Sequence, residues 1–262
     1  MPVRSLAGAR VVLTGASSGI GSALAAELSR AGARLLLTAR REERLQRIAR
    51  EIDRPAEPVA YVSGDIREPR TRQQIYDDIE RRWGSFDVLI NNAGVGAVGP
   101  FARASAGRLR EIMETNFFAP VELTRLLLPA LRQGQTPLIV NVSSVLGHRA
   151  MPNKSEYCAS KFALHGFSDA LRAELAREAI HVMLVSPSTT ESDFFEHLLE
   201  ADSATRVRRG RPMPAATVAR IIRRGMRRNV DELILTWSGT GLVWLDRLFP
   251  RLANLLAARF GQ

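Results

Sequence analysis

Two residues set four apart, Tyr157 and Lys161, are the pair in this chain best suited to moving a proton. If the segment 155–178 is helical, both side chains rise from one face as neighbours. A free tyrosine titrates at about pH 10, and an adjacent ammonium favours its phenolate and lowers that value toward the working pH. A phenol tuned in this way can give a proton to a carbonyl oxygen or take one from an alcohol. His148 and His165 flank the pair, and imidazole titrates near neutrality. His148 reads as a loop residue within reach of a substrate, and His165, one turn beyond Lys161, as a packing residue. Nothing in the chain has metal-ligand spacing, so no metal is expected. The single cysteine, Cys158, argues against a structural zinc site and precludes an intramolecular disulfide.

The second constellation is a glycine turn, Thr14-Gly-Ala-Ser-Ser-Gly-Ile-Gly21, between the strand-like run Arg10–Thr14 and the helix-forming stretch 22–31. Gly15, Gly19 and Gly21 let the backbone turn tightly and approach a pyrophosphate, to which the following helix N-terminus offers free N–H groups. A dinucleotide is therefore expected. An acidic residue about 20 positions beyond such a turn would hold an NAD ribose hydroxyl. The chain reads Thr38-Ala39-Arg40-Arg41 there, with Ala39 at the acidic position. Arg40 can pair with a 2′-phosphate through charge-assisted hydrogen bonds, which selects NADP(H), while Arg41 reads as a solvated residue at a helix start.

Further motifs follow in order. Asn91-Asn-Ala-Gly94 comes after the fourth strand, Asn116 lies in the next helix, Ser144 ends the fifth strand, and Tyr157-Cys-Ala-Ser-Lys161 opens the following helix. With the glycine turn, these resemble the short-chain dehydrogenase/reductase family over nearly the whole chain, from about Gly8 to Thr236. The resemblance implies an NADP(H)-dependent oxidoreductase in which Ser144 holds the reacting oxygen, Tyr157 is the acid or base, and Lys161 also binds the nicotinamide ribose. Asn116 would complete the tetrad through a bound water. The cofactor would lie along Gly15, Ser17, Ser18, Gly19, Ile20 and Gly21, with Asp65 and Ile66 at the adenine. Asn92, Ala93 and Gly94 would lie beneath the adenosine ribose, and Pro187, Thr190 and Ser192 would lie near the carboxamide or pyrophosphate. Ser143 competes with Ser144, but adjacent strand residues face opposite ways and the family spacing favours Ser144. Pro120 has no N–H to offer the Asn116 carbonyl, so that carbonyl should be free and the helix bent. Ser188 stands where the family has glycine and either takes an ordinary conformation or accepts strain.

These residues need a frame. Apolar runs at Arg10–Thr14, Arg34–Ala39, 58–62, 86–90, Leu138–Val142, His181–Ser186 and 232–236 alternate with helix-like stretches, as repeated βαβ units do. Their nearly continuous hydrophobicity suits strands covered on both faces. The expected architecture is α/β, a Rossmann-type doubly wound sheet of about seven mostly parallel strands in one catalytic domain over 1–240. The 262 residues, 45% of them hydrophobic, suffice for its core. All but two of the 37 basic residues are arginine and the net charge is +10, yet the arginine runs lack interleaved aromatics, which argues against nucleic-acid binding. The lone cysteine and the absence of a leader-like apolar stretch point to the cytoplasm.

The family's substrate loops map to 95–101, 145–153 and 188–214. Leu146, Met151, Phe194, Phe195, Leu198 and Leu199 there suggest a small hydrophobic carbonyl or alcohol substrate. A catalytically quiet NADP-sensing or interaction module, and a membrane-surface protein retaining the fold, are the alternatives. In the extension 241–262, Leu242, Leu245, Phe249, Leu252 and Leu256 recur at helical spacing, and Pro250 should divide it into two short helices. The stripe suits packing on the domain or across a homodimer or homotetramer, or peripheral contact with an anionic membrane. Packing is preferred because an ordinary core face explains the periodicity.

Overall fold

Apolar runs long enough for a strand but short for a helix form the central layer. The computed structural model describes residues 3–53, 58–191, 198–201 and 212–260. Its strands are β1 (Arg10–Thr14), β2 (Arg34–Ala39), β3 (Ala60–Ser63), β4 (Val88–Asn91), β5 (Leu138–Val142), β6 (His181–Ser186) and β7 (Glu232–Ile234). They pair in the order β3-β2-β1-β4-β5-β6-β7, and every pairing is parallel. The α/β doubly wound expectation holds. The third strand begins at Ala60 instead of 58, consistent with a proline at 58 that has no N–H for the ladder. The fourth begins at Val88 instead of 86, and just before it the Asp87 carboxylate accepts the N–H groups of Arg10 and Gln135.

Alternate residues of each strand enter different cores, as the two-residue period requires. Val11, Leu13, Leu35, Leu37, Val88, Ile90, Val140 and Val185 pack with Leu24 and Leu28 of α1 (Gly19–Arg30), Leu45 of α2 (Glu42–Ile52) and Ile222 of α7 (Ala215–Arg228). Val12, Leu36, Leu89, Ile139 and Val182 face Ile75 and Ile79 of α3 (Pro69–Trp83), Leu123 and Leu127 of α5 (Ala119–Arg132), and Leu171 of α6 (Ser155–Leu175). Fully burying one such side chain is worth about 1.5–3 kcal/mol, so the two apolar faces, more than strand propensity, hold the layer together. The chain winds outward from β1 in one direction and from β4 in the other. The crevice beyond their carboxyl ends is where such sheets bind ligands.

The helix preceding α5, α4 (Arg108–Met113), does not bend simply at Pro120. A π turn, Glu114–Phe118, joins the two helices, and the Ala119 N–H reaches the Glu114 carbonyl. The wider turn accommodates a proline that cannot close the usual bond to Asn116. At the C-terminus, α8 (Trp237–Leu248) and α9 (Pro250–Phe260) are divided at Pro250 as expected. Their inward positions are Gly239, Val243 and Ala253, whereas Phe249 and Leu252 of the expected stripe are exposed along with Trp237, Trp244, Leu248 and Leu255. Arg149 ties both helices to the loop after β5 through Asp246 at 2.8 Å and Asn254 at 2.7 Å. Among the described residues, no helix is long and apolar enough to cross a membrane.

Candidate active site

The loops at the carboxyl end of the sheet enclose one continuous cavity of about 600 Å³. It runs from the glycine turn after β1, past the ends of β2 and β3, to the side chains of Tyr157 and Lys161. Gly15, Ser17, Ser18, Gly19, Ile20, Gly21, Arg40, Asp65, Ile66, Asn92, Ala93, Gly94, Ser144, Pro187 and Thr190 all line it. Among the described residues anticipated for catalysis or cofactor binding, Asn116 alone stands behind the wall, and Leu199 of the expected substrate loop packs instead against Val95, Ala97 and Ile112. Ser192, Phe194 and Phe195 lie outside the described residues.

The glycine turn has steric causes. Gly15 has φ +67°, and a Cβ there would lie 2.7 Å from the Cα of Ala93; a Cβ on Gly21 would strike the Gly15 carbonyl. The turns after β1 and β4 are thus pressed together. Thr14 Oγ1 receives the N–H groups of Asn92 at 2.9 Å and Ala93 at 3.0 Å, and Asn92 Nδ2 returns a 3.0 Å bond to the Thr14 carbonyl. The N-cap Ser18 makes no side-chain capping bond and the first turn of α1 carries no acid, an arrangement fit for a pyrophosphate. The structure differs at Arg41, which the sequence reads as solvated. Its Nη2 donates to Ser18 Oγ at 2.9 Å and Ser17 Oγ at 3.3 Å, while Arg40 is exposed at the cavity edge. Asp65 is engaged by Arg67; although burial opposes it, those hydrogen bonds hold its carboxyl below the usual range.

At the other end of the cavity, Ser144 begins the 3-10 turn Val145–Gly147, its Oγ accepting the Leu146 N–H at 3.1 Å. The Tyr157 hydroxyl and Ser144 share a hydrogen bond. Ser143, just past the end of β5, also borders the cavity, but its Oγ donates to the Lys161 carbonyl at 3.5 Å. Lys161 Nζ donates to the Val142 carbonyl at 3.1 Å and stands 5.7 Å from the Tyr157 ring centroid. Burial pushes Tyr157 up to about 12, against the pull of Ser144, and pushes Lys161 down to about 8. This differs from the lowered tyrosine expected from the spacing. Lys161 is buried and Tyr157 half-buried, and desolvation disfavours the charged form of each.

Asn116 is buried, and its side chain is fully engaged. Oδ1 accepts the Val95 N–H at 2.8 Å, while Nδ2 donates to the Val95 carbonyl and Ser160 Oγ, both at 2.9 Å. It therefore stitches the segment after β4 to the helix bearing Tyr157 and Lys161. Thr14 and Ser160 lie inside the motifs, but their bonds to Asn92, Ala93 and Asn116 have no signature in the spacing. Among the described non-glycine residues, only Asn153, Ala179 and Asn229 have positive φ, so Ser188 takes an ordinary conformation without strain.

The short chain dehydrogenase family model matches residues 9–203. The chain belongs to the short-chain dehydrogenase/reductase family. It is 36% identical over 200 residues to dehydrogenase/reductase SDR family member 7B of Bos taurus, covering 74% of this chain and 62% of that protein. It is 40% identical over 193 residues to 11-beta-hydroxysteroid dehydrogenase 1A of Arabidopsis thaliana, covering 72% of this chain and 54% of that one. The chain thus spans less than two thirds of either relative. Among solved structures, a short-chain dehydrogenase from Streptomyces avermitilis is similar over 98% of both chains, with TM-score 0.81 and 28% identity. Gly15, Ser144, Tyr157, Lys161 and Thr190, from segments far apart in the chain, line one cavity.

Proposed function

We propose that this chain is an NADP(H)-dependent oxidoreductase that interconverts a carbonyl and an alcohol on a small hydrophobic substrate. The observation that carries the reading is the Ser144–Tyr157 hydrogen bond, with Lys161 alongside, in the cavity that begins at the glycine turn. A nicotinamide dinucleotide, when bound, supplies or removes the hydride. Ser144 orients the reacting oxygen and Tyr157 gives it a proton in the reductive direction. Burial keeps the phenol protonated at neutral pH, the form a donor needs. Lys161 stabilises the negative charge left on Tyr157 and holds the nicotinamide ribose. Asn116, through Val95 and Ser160, keeps the two walls of the site in register.

Preference for NADP(H) rests on the missing carboxylate at Ala39 and on two guanidinium groups at the cavity edge, Arg40 and Arg41. The latter's bonds to Ser17 and Ser18 draw those hydroxyls and the guanidinium into one place where a 2′-phosphate can be gripped from several sides. A hydrophobic substrate is supported by Val98, Leu146, Met151, Leu198 and Leu242 in the wall. The hydroxysteroid name of the plant relative accords with it. Leu242 favours reading 241–262 as a cover packed over the substrate region.

The test is NADPH oxidation followed by absorbance across a panel of hydrophobic ketones and aldehydes, with wild type and Tyr157→Phe. Turnover by wild type alone, with NADPH affinity retained in the variant, is expected because only the transferable proton is lost. NADPH binding without turnover on any panel member would favour the quiet sensor.

A further inference from the structure

Outside the cavity, the fold gathers three metal-capable side chains that lie far apart in sequence. His148 closes the 3-10 turn that Ser144 begins, His165 lies one helical turn beyond Lys161 on α6, and Glu232 starts β7. One ring nitrogen from each histidine and one Glu232 carboxylate oxygen lie within 4.8 Å of one another. His148 Nε2 is 3.0 Å from Glu232 Oε1 and 3.1 Å from Ser186 Oγ, and the two imidazoles meet edge to face with centroids 4.3 Å apart. His165 Nε2 is buried and has no hydrogen-bond partner among the described residues.

We infer that His148, His165 and Glu232 form a binding site for a divalent cation of the zinc class, distinct from the catalytic cavity. Two imidazoles and one carboxylate suit Zn²⁺ and its neighbours and disfavour Mg²⁺ or Ca²⁺, which take oxygen ligands. Around tetrahedral Zn²⁺, with bonds of about 2.0–2.2 Å, donor atoms stand about 3.3–3.6 Å apart. The His148–Glu232 pair is already near that separation, and the remaining donor pairs lie within 4.8 Å, a gap that side-chain rotation of both histidines and the carboxylate would close. Ser186 Oγ, 3.1 Å from His148 Nε2, is a further oxygen beside the trio, and a water would complete the fourth position.

An ion here would cross-link three elements: the turn carrying Ser144 and Leu146, the helix carrying Tyr157 and Lys161, and an outer strand. Neither histidine lines the cavity, so the role is structural, fixing the substrate loop. It also gives a use to the His165 ring, whose buried Nε2 has no hydrogen-bond partner among the described residues. Hydrogen bonding within the trio accounts for His148 and Glu232 but leaves that nitrogen unsatisfied.

The test is titration of the full-length, tag-free protein with Co²⁺ alone, read by the visible absorption of tetrahedral cobalt, and with Zn²⁺ alone, read by melting temperature. The expected result is one Co²⁺ per chain, displaced by Zn²⁺, and a Zn²⁺-dependent rise in melting temperature. His165→Gln and Glu232→Gln should each weaken Co²⁺ binding by an order of magnitude or more and abolish the Zn²⁺-dependent rise. Glu232→Gln changes a partly exposed side chain and keeps the test usable if the histidine variant folds poorly. Absence of stoichiometric cobalt binding by the wild type would overturn the inference. So would binding that survives both substitutions.

Discussion

Arg108→Met offers a measure of what holds the Tyr157 helix in place. Arg108 Nε and Nη2 donate to Glu156 Oε1 at 2.9 and 2.6 Å, and the two side chains are only 3% and 5% exposed. Glu156 Oε2 accepts from Ser155 at 2.8 Å, and Arg108 Nη1 also reaches Glu200 at 3.3 Å. Removing the guanidinium strands a buried carboxylate one residue before Tyr157, a loss of about 3–5 kcal/mol for pairs of this kind. At a urea slope of about 2–3 kcal/mol per M, the unfolding midpoint should fall by roughly 1–2 M at pH 7. The double variant Arg108→Met/Glu156→Leu should recover much of it, because neither charge is then desolvated.

The pH dependence adds a second check. Although burial opposes it, the bonds from Ser155 and Arg108 hold Glu156 below its ordinary 4.5. The pair's contribution is therefore complete above pH 4.5 and is lost as pH falls through the depressed folded value. In Arg108→Met the unpaired carboxyl is raised instead and is neutralised in acid. The gap between wild type and variant should then be smaller at about pH 4 than at pH 7. A penalty under about 1 kcal/mol at pH 7, the scale of an exposed pair, would refute the reasoning. An equal penalty at both pH values would do the same.

Arg40→Ala and Arg41→Ala should each weaken NADPH binding far more than NADH binding, measured by fluorescence titration; equal losses for both cofactors would remove the arginines from phosphate recognition. Pro120→Ala restores an N–H opposite the Asn116 carbonyl and should tighten the π turn, pulling Asn116 from Val95. A fall in turnover without loss of NADPH affinity is expected, and unchanged turnover would count against the positioning role. Deletion of residues 240–262 removes Leu242 and the Arg149 partners Asp246 and Asn254. It should raise KM for apolar substrates while sparing NADPH binding; a deletion that changes only liposome association would favour the membrane reading.

The residues that local physics governs were legible in the sequence. Continuous apolar runs specify buried parallel strands, a glycine cluster between strand and helix specifies a tight turn, and a four-residue spacing puts Tyr157 and Lys161 on one face. The choice of Ser144 over Ser143 came from the family spacing, alternation saying only that the two face different ways. What depended on distant segments meeting was decided by the tertiary structure alone. The inward line of the C-terminal helices follows Val243 and Ala253, because packing depends on which surface the chain docks against and periodicity describes only one partner. Arg41 reads as solvent-facing until the glycine turn is folded beside it. Tyr157 and Lys161 share a spacing that promises a lowered phenol, yet desolvation of the phenol itself raises it, and desolvation is a property of the whole surrounding fold. Arg108 with Glu156, and His148 with His165 and Glu232, have no local signature at all. Their separation along the chain carries no periodicity, and only the winding of helices and strands around the sheet brings their charges and nitrogens within reach.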